Sequence, residues 1–250
     1  MNTPETQASF LESYDIHEFD IPLTSVDMTI FTIENNILKV LLVKRAQFPA
    51  KGEWALPGGF INLKADQTLN DTVSRKLKEK TGVNISHLEQ VATYGSANRD
   101  PRGWSVTIAY MALISSKNIT LTTDESSQEV IWLPIEEIQK DHQLVFDHNT
   151  ILEDCYQRLK SKVQYTSLPI NLLPKSFTIS ELQKTFELIL GYTIEKKSFR
   201  RRLLAANIIE ETGKMRVGSN RPAKLYRAND NGKEHLFQRN IEGPRSSPFK

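Results

Sequence analysis

Apolar and polar positions alternate through much of the first half of the chain, and that period of two predicts strands. From Pro22 to Ile33 the run VDMTIFTI alternates, and Glu34-Asn35-Asn36 then supplies turn chemistry. ILKVLLVKR, Ile37 to Arg45, reads as a second and more buried strand. Further strands are expected at LEQVATYG, WSVTIAYMALIS and EVIWLP. Helical spacing replaces alternation over 68–81, where Leu69, Val73 and Leu77 fall at i, i+4 and i+8 and Gly82 stands just past the end. IEEIQK and TILEDCYQRLKSKVQ are two more helices, the second with Ile151, Cys155 and Leu159 on one face. Residues 1–20 carry neither period and are expected as an irregular arm. Strands and helices mixed in this order predict an α+β sandwich of about 160 residues.

The pattern breaks at YTSLPINLLPKS, which holds Pro169 and Pro174 and few charges. Beyond it TISELQKTFELILG has a capping box, Thr178 with Glu181, and Gly191 as its stop. KKSFRRRLLAAN is a second helix, with Leu203, Leu204 and Ala205 expected on its inward face. NIIEETGKMRVGSNRPAKLYRAND alternates around Gly218-Ser219-Asn220 and predicts a β-hairpin. Helix, turn, basic helix and basic hairpin is the order of a winged helix-turn-helix. The expected organisation is an arm over 1–20, a sandwich over 21–165, a linker over 166–175, a winged helix over 176–240 and a tail over 241–250.

Composition excludes several classes. No stretch approaches the roughly 18 uninterrupted apolar residues of a membrane span, and the polar, acidic N-terminus is not a secretory signal. Cys155 is the single cysteine, so the chain can form neither an internal disulfide nor a thiolate metal cluster. A cytoplasmic location is expected. The net charge of +2 hides an asymmetry. Residues 196–227 hold ten Lys/Arg against two acids, Glu210 and Glu211, a local +8 that leaves −6 for the rest of the chain. A basic block on an acidic chain predicts a dedicated polyanion-binding surface.

One stretch points to phosphate chemistry. GGFINLKADQTLNDTVSRKLKEKTGV, Gly58 to Val83, preceded by WALP, resembles the signature of the Nudix family, hydrolases of nucleoside diphosphates linked to another group. That box ends in R-E-U-x-E-E-x-G-U, where U is bulky and apolar; here the same places hold Arg75, Lys76, Leu77, Lys78, Glu79, Lys80, Thr81, Gly82 and Val83. The loop after Gly59 is two residues longer than the box allows, so Gln67 takes the upstream glutamate position. Positions 76, 79 and 80 share a helix face. Carboxylates there would gather magnesium, whereas a lysine offers no lone pair and repels a divalent cation. No metal site and no catalytic residue is therefore expected. No second histidine lies at metal-ligand spacing, and no nucleophile-elbow pattern supports a hydrolytic triad.

The ligand pocket can outlive the catalysis. NRDPRGW, Asn98 to Trp104, is similar to a segment of Nudix proteins that handle ADP-ribose. Arg45, Arg99 and Arg102, with Asp100 in the same loop, are candidates to hold a diphosphate through forked, charge-assisted bonds. Trp54, Phe60 and Trp104 are candidates to stack on a base, Gly58 and Gly59 to line the approach, and His148 to touch ligand, with Asp147 suited to capping the helix that follows. In the winged helix, Lys196, Lys197, Ser198, Arg200, Arg201 and Arg202 are candidates for the major groove, and Lys214, Arg216, Arg221 and Lys224 for the backbone. With FDHNTIL and KSFRRRLL added, residues 20 to 227 resemble the Nudix-related transcriptional regulators of NAD metabolism, the NrtR family. The resemblance implies a homodimer that represses NAD synthesis or salvage genes at a palindromic operator on double-stranded DNA, with ADP-ribose or a related nucleotide as effector, no cofactor and no membrane. The alternatives are an active hydrolase with a nucleic-acid-binding appendage, and a DNA-binding protein whose Nudix domain serves only dimerisation.

Overall fold

The computed structural model describes residues 6–82, 87–116, 119–217, 222–232 and 234–238 of the 250. In chain order these form α1 (Gln7–Ser13), a 3₁₀ turn, β1 (Leu23–Glu34), β2 (Ile37–Arg45), β3 (Trp54–Ala55), β4 (Gly58–Phe60), α2 (Leu69–Thr81), β5 (His87–Ser96), β6 (Ser105–Leu113), β7 (Ser127–Pro134), α3 (Ile135–Asp141) and α4 (His148–Val163). A buried 3₁₀ helix, Leu168–Leu172, leads to α5 (Ile179–Leu190), α6 (Lys196–Ala205), β8 (Ile209–Arg216) and β9 (Ala223–Ala228). The architecture is α+β: a Nudix-like α/β/α sandwich followed by a winged helix. No helix among the described residues is long and apolar enough to cross a membrane.

The seven-stranded sheet runs β3-β2-β1-β6-β5, with β4 pairing β1 and β7 pairing β2 off that path; β1 and β6 are parallel and the other pairs antiparallel. Its central strands are buried on both faces, which is why β1 and β2 carry nearly continuous apolar runs. Met28 and Ile30 pack with Leu41 and Ile108 beneath Val73 and Leu77 of α2. Phe31, Val40, Leu42 and Met111 face the other way, toward Ile151, Cys155 and Leu159 of α4. The outer half of β1 pairs with β2 and its inner half with β4, so β1 and β2 part at Asp27. A cleft opens at that fork.

Helix ends follow their chemistry. The Thr68 hydroxyl accepts from the Asp71 amide while Asp71 accepts from the Thr68 amide, and Gly82 closes α2 in the left-handed region at φ 64°. Thr178 with Glu181 and Gly191, at φ 80°, bracket α5 in the same way. The arm expected to be irregular contains α1, capped by the box of Thr6 and Ser9. Its short span gives a 3.6-residue period too few turns to register, while the cap still fixes the first amides.

The expected linker is packed rather than loose. Leu168, Pro169, Ile170, Asn171 and Leu172 are all buried, and one apolar cluster runs from the sheet through α4 and this turn to Phe177, Phe186, Phe199 and Leu203 of the winged helix. The prolines that read as punctuation fix the turn instead, Pro169 at its start needing no amide donor. Phe177 pairs with Tyr226 of β9 through two backbone bonds, adding a third strand position to the β8–β9 wing. Phe237 and His235 return to pair with Tyr165 and Ser167 at the end of α4. The hairpin turn at 218–220, Arg221 and the tail 241–250 lie outside the described residues.

Phe199 meets Phe186 edge-on at 5.2 Å between ring centroids and is fully buried. Phe199→Ala is expected to cost about 3–5 kcal/mol. Because one cluster joins the halves, the urea midpoint reported by Trp54, Trp104 and Trp132, all in the sandwich, should fall with it. A tryptophan midpoint left unmoved would show that the halves unfold independently.

Candidate functional site

The fork between β1, β2 and β4 holds a cleft of about 410 Å³, within the size range of small-ligand sites. Arg45, Gly58, Gly59, Phe60, Arg99, Asp100, Arg102 and His148 all line it, from separate parts of the sequence. Lys76 and Lys80 reach it from α2. Gly58 must be glycine, because a Cβ there would lie 2.2 Å from Asp27 Oδ1. Gly59 leaves room for the Lys76 stem, whose Cε would stand 2.7 Å from an added Cβ.

The arginines divide by what they already hold. Arg99 is nearly buried and committed: Nε and Nη2 donate to Asp147 at 2.9 Å each, and Nη1 donates to Ser105 Oγ at 3.3 Å. Asp147 at the start of α4 makes no side-chain cap bond; its carboxylate is turned to this arginine instead. Arg102 donates to Asp100 at 2.6 Å and lies over the Phe60 ring at 5.0 Å, and the Asp100 carboxylate also takes the Arg102 amide. The Arg102 side-chain bond outweighs burial, which would raise the Asp100 carboxyl, and holds it below the usual range. Arg45 donates Nε to the Pro49 carbonyl and stacks on Phe146 at 5.1 Å, and no carboxylate among the described residues forms an ion pair with it. Burial and the neighbouring Arg102 cation press its guanidinium below the ordinary arginine range. An arginine keeps its charge under such pressure, so Arg45 brings to the cleft a positive charge that no carboxylate among the described residues pairs with.

His148 is buried at the cleft floor. The Leu56 amide donates to its Nδ1 at 2.9 Å, which leaves the ring proton on Nε2, 3.6 Å from Asp27 Oδ2. Burial alone would raise the Asp27 carboxyl; His148, Thr107 and Arg99 outweigh it and hold the group below its ordinary value. His148 thus braces the β3–β4 segment against α4. The two tryptophans fall elsewhere. Trp54 packs on the core with Lys44 over its ring at 5.6 Å, and Trp104 is exposed beside Asp20–Leu23 in a separate recess. A tryptophan in a strand is drawn to the core by its large apolar area, and the turn at Gly103 aims Trp104 outward. Phe146 and the exposed Phe48 line the cleft in their place. Phe146 precedes the singled-out Asp147 and His148, and that adjacency was the available signal.

The metal ligands of the Nudix box are replaced by a cationic network. Lys80 is 2% exposed and its ammonium contacts Asp124 at 2.5 Å, Ser127 Oγ at 2.7 Å and Ser126 Oγ at 3.1 Å. Glu79, the one carboxylate kept, is taken by Arg75 at 3.3 Å and Lys76 at 3.0 Å. Among the described residues no group of three carboxylate, histidine or cysteine side chains gathers. Two ammonium groups at the box positions do not fit the divalent cation that the box holds in hydrolases.

The second candidate surface is α6. Phe199 and Leu203 face inward, one turn apart, while Lys196, Lys197, Arg200 and Arg201 are exposed together. Leu204 and Ala205, expected inward, are exposed, because one and two further residues rotate them about 100° and 200° from Leu203. Ser198 and Arg202 are half-buried. The Glu195 carboxylate accepts the Lys197 and Ser198 amides and caps the helix, which lowers its pKa. On the wing, Arg216 pairs with Glu181 and Lys224 with Glu211 at 2.9 Å, while Lys214 is exposed. Arg221 lies outside the described residues.

Comparison with known proteins agrees with both halves. The NUDIX domain family matches residues 24–155, and the NrtR DNA-binding winged helix domain matches residues 169–228. The chain is 43% identical over 240 residues to the ADPR responsive transcriptional repressor NtrR of Acinetobacter baylyi, covering 96% of this chain and 95% of that protein. Shewanella oneidensis NrtR, solved in complex with a 27mer DNA, is similar at a TM-score of 0.80 with 41% identity, over 87% of this chain and 98% of that one. The NUDIX domain of the Shewanella protein, solved with ADP ribose, is 42% identical at a TM-score of 0.58, over 62% of this chain and 99% of that one.

The Lys80 network yields a pH signature. Burial acts to raise the Asp124 carboxyl, and the bonds from Lys80 and Ser126 overcome it, leaving it far below the ordinary range. Its stabilisation is full above the unfolded value, about 3.9, and is lost as pH falls through the depressed folded value. Lys80→Met should therefore lose about 1–3 kcal/mol at pH 7. In urea titrations its deficit should shrink below about pH 4; an equal deficit at pH 7 and pH 3 would contradict this account.

Proposed function

We propose, because the chain belongs to the NrtR family of Nudix-domain proteins with a C-terminal winged helix, that it is a cytoplasmic transcriptional repressor of NAD synthesis or salvage genes. ADP-ribose or a related nucleotide releases it from DNA. The observation that carries the reading is a shared polarity at two sites. The cleft presents Arg45, which forms no ion pair with a carboxylate among the described residues, and α6 presents four exposed cations, Lys196, Lys197, Arg200 and Arg201. The lysines at the box positions support ligand sensing over hydrolysis, since cations at 76 and 80 favour a bound diphosphate and oppose the metal that would cleave it.

Arg45 and Arg102 hold the diphosphate, Lys76 adds charge from α2, and the exposed Phe48 offers a ring face to the base. On the DNA side, the first turn of α6 meets base edges and the wing lies along phosphates. The link between the sites is α4. Its first residues, Asp147 and His148, are bonded to Arg99 and Leu56 at the cleft, and its body packs against α5 of the reader. Ligand that draws the 99–102 loop toward itself pulls on the Arg99–Asp147 fork and tilts the helix. At 16 residues, α4 is about 24 Å long, so a small tilt at one end is a displacement of ångströms at the other.

Three outcomes follow. Duplexes selected from a random pool should be enriched for a palindrome that is lost when ADP-ribose is added; a palindrome indifferent to it would sink the effector assignment. Arg200→Ala with Arg201→Ala should weaken operator binding by about 2–6 kcal/mol and flatten the salt dependence, leaving ADP-ribose binding intact. Asp147→Asn should bind ADP-ribose within a few-fold of the parent yet release DNA poorly, measured by fluorescence anisotropy at saturating ligand. Release at parental levels would show that the coupling does not pass through this bond.

A further inference from the structure

Leu204 is a large apolar side chain of α6 that the core does not use. Phe199 and Leu203 are fully buried, whereas Leu204, one residue on, is 45% exposed. It follows Arg201, Arg200 and Lys197 by three, four and seven residues, and all three are exposed. At those spacings the four side chains share one stripe of the helix. In projection down the axis Leu204 falls between the two arginines and about 20° from Lys197. The roll of the helix is fixed: Phe199 and Leu203 anchor its inner side, and the Glu195 carboxylate holds the Lys197 and Ser198 amides at its start. A solitary exposed leucine is ordinary on a protein surface. A leucine set among three cations has a different setting, because charges that draw a polyanion close bring the leucine to the same surface.

We propose that Leu204 is a specificity-determining residue of the DNA reader, packed against the C5 methyl group of a thymine in the major groove; this rests on the repressor reading and extends it. A stripe at i, i+3, i+4 and i+7 is the spacing with which the reading helix of a homeodomain meets bases. From Lys197 to Leu204 the stripe is roughly 10 Å long, about three base pairs of duplex. Reading then continues past the first turn of α6. Chemistry selects the base. The leucine side chain has no donor or acceptor, so it gains from a base edge only where carbon lies opposite. In the major groove the thymine methyl is that carbon. The other bases present polar groups there, and a leucine would strip their water without replacing its bonds.

The test uses the full chain without ADP-ribose, and the palindrome that it selects from a random duplex pool. Each thymine is replaced by deoxyuridine in both half-sites at once, which removes the methyl and keeps the pairing edge. At one position this should weaken the parent about fifteenfold, from about fourfold in each half-site. Leu204→Ala should bind the thymine duplex weakly and lose the uracil penalty at that position, while Leu204→Met, which keeps the apolar reach, should retain it. Since the contact involves no phosphate, Leu204→Ala should keep the parent's salt dependence; the side chain is exposed, so its unfolding midpoint should also match. Uracil tolerated everywhere, or penalties unchanged by Leu204→Ala, would overturn the thymine contact and leave the repressor reading standing. A flattened salt dependence would overturn it too, by showing that Leu204 serves the phosphate contacts. A pool that yields no enriched sequence would overturn both.

Discussion

The structure depends on one continuous apolar seam. Leu42 and Met111 of the sheet, Ile151 and Leu159 of α4, Ile170 of the 3₁₀ turn and Phe186 of the reader belong to a single buried cluster. Each such side chain gains about 1.5–3 kcal/mol from burial, so opening the seam costs far more than the few kcal/mol that a ligand supplies through differential binding. The two halves consequently behave as one body. A site in the sandwich influences the reader through displacements that keep the seam closed, such as a small tilt of α4 that α5 follows.

Electrostatics sets the lining of the cleft through the residues that stand at the metal-ligand positions of the Nudix box. A hydrolase helix at this position would face the pocket with carboxylates and take up charge from metal. Here the Lys80 ammonium is buried and fixed by Asp124, Ser126 and Ser127, joining α2 to the segment before β7. Glu79 is neutralised between Arg75 and Lys76. The cations at these positions are thus paired within the chain, and Glu79, the carboxylate kept from the box, is already engaged. Arg99, a candidate ligand contact that lines the cleft, also joins the 99–102 loop to α4 through Asp147.

Much of this was legible in the sequence because the signals were local. Period-two runs located β1 and β2, the Thr178–Glu181 box and Gly191 bounded α5, and the box spacing from Gly58 to Gly82 identified the sandwich. What escaped was set by partners distant in sequence. Nothing near Arg99 tells that Asp147 lies opposite it, and nothing near Lys80 tells that Asp124 does. The prolines at 169 and 174 carry the same signal in a loose linker and in a packed 3₁₀ turn, and only tertiary burial separates the two. Trp54 and Trp104 lie outside the cleft lining, because aromatic identity specifies affinity for an apolar surface without saying which one.

Rigidity then decides where ligand energy goes. A close-packed seam does not absorb a displacement; it transmits it. If the 99–102 loop shifts, the fork to Asp147 carries the motion into α4, and α4 carries α5 and α6 with it. Through that packing, a movement at the loop is a movement of the basic helix α6 as well.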